Sequence, residues 1–195
     1  MIKEKTQKYL VKRFQEEGFY SIPINDIAAD LNVSKKTIYK EFGSKHKLIE
    51  TTIMSMLNEA YYKVIYVVSN ESPFVEKFYT IFDAVKENLK VFDDISLAEL
   101  KRTHPKIWIK VARFRKYNII PLLRLLITGG IKKGVLNDYP IELYLKLIYG
   151  AITEVTKRNA KPIAGELDQL LKIILNGALT KKGKKFLNYK LVNVN

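Results

Sequence analysis

Ser34, Lys35, Lys36, Thr37, Tyr39 and Lys40 follow one another in a short helical register, and Ser44-Lys45 come just after them. Lysine ammonium groups neutralise phosphate oxygens, and hydroxyls donate and accept toward phosphates and base edges. Gathered on the outer face of one helix, this set suits the DNA major groove, with the helix N-terminus entering it. At Ser44-Lys45 a further helix begins. Its free N–H groups and positive dipole end can hold a phosphate. Catalytic chemistry has no comparable set. His46 and His104 are too few and too far apart for a metal or catalytic cluster. The chain has no cysteine, which excludes disulfides, thiolate catalysis and cysteine metal sites. There is no phosphate-binding glycine loop, nucleophile elbow or ordered acid/base pair, so neither catalysis nor a bound metal or cofactor is expected.

Positioning those side chains needs two helices held at a steep angle. Ile24, Ile27, Ala28 and Leu31 follow i, i+3, i+4, i+7 spacing and predict one helix near Pro23–Leu31. Asn32 tolerates the left-handed backbone that a tight turn demands. Ser34 is the expected N-cap of the next helix, which turns Ile38 and Phe42 inward and ends at Gly43. Ser44 caps the one after. Ahead of them a helix from about Ile2 to Glu17 carries Leu10 and Phe14 on its apolar stripe and stops at Gly18.

This layout resembles the DNA-binding domain of the TetR family of bacterial transcriptional regulators. The family pattern stands here as Phe14, Gly18, Phe19, Ile24, Ile27, Ala28, Val33-Ser34, Thr37-Ile38-Tyr39, Phe42, Ser44-Lys45 and Leu48. The resemblance implies that Tyr39 and Lys45 contact phosphates and that Lys35, Lys36, Thr37 and Lys40 face the groove. Lys3 and Thr6, at the start of the first helix, are expected against the DNA backbone. Asn32 replaces the usual turn glycine. Glu41 stands where members usually carry a non-acidic residue, and a carboxylate there is expected to weaken binding to phosphates unless it faces Lys40 or Lys45.

Helical periodicity continues to the end, with no alternating strand pair, so an all-α fold of about nine helices is expected. The predicted helices reach to Val68, then cover Phe74–Lys90, Asp93 or Asp94 to Arg102, and Pro105–Lys133. This last segment is kinked at Pro121 and weakened at Gly129-Gly130. After a loop over 134–140 come Ile141–Asn159 and Ala164–Thr180. The expected domains are residues 1–48 for DNA binding, 49–180 for effector binding and dimerisation, and a basic tail over 181–195.

By resemblance the last two helices would pair with a second copy as a four-helix bundle. Leu143, Leu147, Ile148, Ala151 and Val155 form one stripe; Leu167, Leu170, Leu171, Ile174, Leu175 and Ala178 form the other. Burial inside one subunit is the competing use of these residues, and each stripe is expected to do some of both. The family also implies an effector pocket for a small molecule, with Tyr66, Phe82, Phe92, Trp108, Phe114, Tyr117 and Tyr149 as candidate lining. Simple core packing is the commoner use of any one of them.

The net charge is +14, of which only +3 lies in residues 1–50. The evidence for DNA binding therefore rests on pattern rather than charge. No run reaches about 20 uninterrupted apolar residues and no signal-peptide core opens the chain, so a cytoplasmic protein is expected, without stable membrane association. The leading expectation is a dimeric, sequence-specific DNA-binding repressor released by a small ligand. The alternatives are a ligand-independent architectural DNA binder and, from the basic tail, an anionic-lipid-binding helical protein.

Overall fold

The computed structural model describes residues 2–17, 23–87, 94–155 and 165–185. Among them there are ten α-helices and one isolated antiparallel bridge, between Leu136 and Leu179. The helices are α1 (Ile2–Glu17), α2 (Ile24–Asp30), α3 (Lys35–Phe42), α4 (Lys45–Ser69), α5 (Phe74–Glu87), α6 (Asp94–Thr103), α7 (Pro105–Phe114), α8 (Ile120–Lys132), α9 (Ile141–Val155) and α10 (Glu166–Ala178). The expected Gly18 stop, the Asp93 cap, the ends at Lys90 and Asn159, the start at Ala164 and the tail beyond residue 185 lie outside the described residues.

The expected Pro105–Lys133 helix is two helices joined by a π-helical turn, Arg115–Ile119. Pro121 has no N–H to give, and its ring would collide with the carbonyl four residues earlier. A widened turn just ahead of it relieves both problems. The Gly129-Gly130 pair leaves α8 unbroken. Gly130 is buried, and a Cβ there would lie 2.2 Å from Cζ of Phe74, so glycine allows that ring to pack against the helix backbone.

The chain divides into two compact units: Met1–Ala60 with Asn88–Phe114, and Tyr61–Glu87 with Arg115–Asn195. In the first, α1, α2, α3, the start of α4, and α6 and α7 share one core. Leu10, Phe14, Ile27, Ile38, Leu48, Ile53, Leu100, Ile107 and Val111 are its most enclosed side chains. Residues 1–48 thus share their core with later helices.

In the second unit, α9 packs on α8 and α10. The α8–α9 connection closes as a Schellman turn. Gly134, with φ 64°, donates to Ile131, and Val135 donates to Gly130. The same connection is laced to the end of α10: Asn137 N–H donates to the Ala178 carbonyl (2.9 Å) and Thr180 N–H to the Val135 carbonyl (3.0 Å). The Thr180 hydroxyl donates to the Gly134 carbonyl at 2.7 Å. Residues 181–185 continue from there as a helical turn, so the expected tail begins as anchored structure. In the same unit the buried Lys77 amine donates to the carbonyls of Val68 (2.9 Å) and Asn70 (2.6 Å), closing the C-terminal end of α4.

Candidate nucleic-acid interface

The turn between α2 and α3 is built from local rules. Asn32 takes φ 52°, the left-handed conformation expected of it. Its N–H donates to Ala29 and that of Val33 to Ala28, the paired bonds of a Schellman turn. Ser34 then caps α3 by accepting from Thr37 N–H at 3.0 Å, and its hydroxyl also meets the Thr37 hydroxyl at 2.8 Å. Such a cap contributes about 1 kcal/mol. Gly43, at φ 77°, ends α3 by donating to Tyr39, and Ser44 caps α4 by accepting from Lys47 N–H at 3.1 Å.

α3 packs on α1 and α2 through Ile38 and Phe42. That leaves Ser34, Lys35, Lys36, Tyr39, Lys40 and Glu41 exposed, with Thr37 and Lys45 half-buried. A second clasp fixes α2 against α1. The Tyr9 hydroxyl donates to the Asp30 carboxylate, and Arg13 donates to Tyr9 Oη at 2.8 Å and to Asp30 at 3.2 Å. Burial, and then the Asp30 carboxylate, push the Tyr9 phenol pKa up. The sequence carried no local signal for this clasp, because its partners are 17 and 21 residues apart.

Two expected contacts need revision. Lys3 is exposed at the start of α1, but Thr6 is fully buried, with its hydroxyl lacking a partner among the described residues. It lies on the inward face of α1 and cannot reach a phosphate. Ser34 and Thr37 engage each other, so the Ser34 oxygen serves the cap. His46 and His104 were expected to be far apart. Their Nδ1 atoms are 3.2 Å apart, because the core of the first unit brings the start of α4 to the α6–α7 junction. Burial, followed by His46 and Lys45, lowers the His104 pKa, and the Glu99 carboxylate opposes that shift.

Behind the interface, Glu50 is buried on α4. It accepts from Lys110 of α7 and from Lys47 at 3.2 Å. The bond from Lys110 leads the causes that lower its pKa, ahead of the opposing burial.

The candidate effector aromatics that are described are divided between the two units. Trp108 and Phe114 are partly buried against the core of the first unit. Tyr66, Tyr117 and Tyr149 are exposed at 73%, 62% and 57%. Arg115 stacks over Tyr149, and Lys116 lies over Tyr117. Phe92 and the side chain of Phe82 lie outside the described residues. An open cleft of about 470 Å³ does occur in the second unit, lined by Thr128, Ile131, Lys132, Asp138, Tyr139, Pro140 and Ile141. None of the candidate aromatics lines it.

The two C-terminal stripes also divide. Leu171, Ile174 and Ala178 are buried within the subunit, one inward face of α10, and are not available to a partner. Leu170, Ile148 and Ala151 are half-buried. Leu143 and Leu147 are exposed at 54% and 51%. Ile173, which the stripe reading omitted, is exposed at 67%. The side chains of Val155 and Leu167 lie outside the described residues.

Residues 11–52 match the family model of bacterial regulatory proteins of the tetR family. The chain is 29% identical over 142 residues to an uncharacterized HTH-type transcriptional regulator of Bacillus subtilis, YvaF, covering 72% of this chain and 74% of that one. A TetR-family regulator from Agrobacterium tumefaciens has the same fold, with a TM-score of 0.73 at 15% identity over 91% of this chain and 97% of the other. A regulator from Saccharomonospora viridis, solved in complex with choline, superposes with a TM-score of 0.72 at 16% identity, covering 92% and 98% of the two chains. Each of these relatives is described as a transcriptional regulator. Among the described residues no helix is long and apolar enough to cross a membrane.

Proposed function

We infer that this chain, a member of the TetR family of bacterial transcriptional regulators, is a dimeric, sequence-specific repressor that a small ligand releases from its operator. The observation that carries the DNA-binding part is the capped α3. It holds Lys35, Lys36, Tyr39 and Lys40 outward on a helix whose opposite face is locked by Ile38 and Phe42. With Lys45 at the following helix start, these residues form a phosphate-and-groove surface.

Dimerisation is supported by the unpartnered Leu143 and Leu147 on α9 and Ile173 on α10. Gly150 and Gly177 add open space on the same two helices, where a second copy could approach closely. Two copies paired there would present two α3 helices to half-sites about 34–36 Å apart. Ligand release is supported only by kinship of fold, since the Saccharomonospora viridis neighbour holds choline. A ligand would act by favouring a conformer with the wrong α3 spacing. Cytoplasmic residence follows from this role.

Bound sites mapped in cells, followed by operator affinity with and without candidate ligands, test the proposal. A few promoter sites and a ligand-weakened affinity are expected. Scattered occupancy with affinity indifferent to a broad ligand screen would refute the repressor-and-ligand part and favour an architectural binder.

A further inference from the structure

His46 lies in the first turn of α4, and His104 lies between α6 and α7, where its carbonyl accepts from Ile107 (2.9 Å) and Trp108 (3.1 Å). Both rings are half-buried, so solvent reaches them. Their Nδ1 atoms face each other at 3.2 Å, with ring centroids 5.2 Å apart and planes at 62°. Two imidazoles on one tetrahedral ion, each at about 2.05 Å, would have nitrogens about 3.3 Å and centroids about 5.2 Å apart. The pair thus already stands at the spacing of a chelate.

We propose that His46 and His104 form a two-imidazole site for a borderline transition-metal ion such as Zn²⁺, Co²⁺ or Ni²⁺, clasping the start of α4 to the α6–α7 junction. Imidazole nitrogen favours these ions over Mg²⁺ or Ca²⁺, which prefer oxygen. Without an ion one ring donates its Nδ1 proton to the other. When the ion binds, that proton moves to Nε2 of the same ring, and both Nδ1 lone pairs turn to the metal. The charged groups facing His104 are Lys45, which opposes a cation, and Glu99, which favours one. Among the described residues no group of three or more ligand-type side chains forms, so the two imidazoles are the protein ligands proposed. Such a site is weaker than a four-ligand structural one and is left open to exchange.

The test is a titration of the full-length, tag-free, chelator-treated protein with Zn²⁺ alone, and with Co²⁺ to read coordination from its visible spectrum. Saturable binding of one ion per chain is expected. H46N and H104N should each weaken binding by at least about tenfold. Nitrogen-15 NMR of the unaltered protein needs no variant and covers the case in which a substitution unfolds the chain. Zn²⁺ should shift the Nδ1 resonances of both histidines. Unmoved Nδ1 signals, wild-type affinity in folded H46N and H104N, or no saturation by about 1 mM ion would each overturn the proposal. None of these readouts involves DNA, so failure here is distinct from failure of the repressor reading.

Discussion

Replacing Glu50 by glutamine should loosen the platform behind α3 by an amount that can be worked out. Two unit charges about 3 Å apart attract by about 5 kcal/mol at an effective dielectric of 20, and by about 1.4 kcal/mol in water. The Glu50 side chain is only 11% exposed, but those of Lys47 and Lys110 remain 56% and 54% exposed. Their ammonium ends stay hydrated, so the lower figure governs. Glutamine keeps an acceptor oxygen for Lys110, and the expected loss is about 1–2 kcal/mol. A double-mutant cycle with Lys110→Met isolates the pair and should give a coupling of about 1 kcal/mol at pH 7 and low salt. Because the native pKa of Glu50 is lowered, its stabilisation is complete at neutral pH. It begins to fall below about pH 4.3 and vanishes once the native carboxyl is protonated. Denaturant titration followed by fluorescence is the assay. Trp108 is the only tryptophan in the chain and packs against this core, so it reports the right unit. A coupling below about 0.3 kcal/mol at pH 7, or one indifferent to acidification, would refute the assignment of Glu50 as the link between α4 and α7.

Thr6→Val removes a buried hydroxyl that has no partner among the described residues, and should leave stability unchanged or raise it by about 1 kcal/mol, with DNA affinity intact. A phosphate-contacting Thr6 would instead lose affinity. On α3 the two charge signs should act oppositely in DNA-binding titrations. Lys36→Ala is expected to lower the salt slope by about one, and Glu41→Gln to tighten binding about two- to fivefold at low salt. Gly183→Ala would bring a Cβ to 2.3 Å from the Val135 carbonyl oxygen, which already accepts from Thr180. That backbone cannot yield cheaply, so a loss of about 1–3 kcal/mol in thermal or chemical unfolding is expected.

Features set by neighbouring residues were legible in the sequence. Ser34, Asn32, Gly43 and Ser44 each act within a turn of their own position, so residue type alone indicates cap, left-handed bend and stop. Periodicity likewise marked the stripes of α9 and α10, but it reports an apolar face without saying what covers it. Leu171 and Ile174 are covered by their own subunit, whereas Leu143 and Ile173 remain open. Thr6 failed for a related reason, since a hydroxyl near a helix start carries no sign of which way it faces. Contacts across large separations were beyond local reading. His46 meets His104 58 residues away and Lys110 meets Glu50 60 residues away, and only the folded core brings them together. Pro121 did signal a disturbance, though not that a π turn ahead of it would absorb the missing bond.

The amine that closes α4 also sets a limit on chemistry at the protein's surface. Lys77 is 9% exposed, and its nitrogen is engaged by two carbonyls. An acylating reagent needs an unprotonated, accessible amine, so Lys77 should be modified long after exposed lysines such as Lys36 or Lys181. Its labelling rate becomes a clock for the opening of the corner between α4 and α5, readable by mass spectrometry on the intact protein.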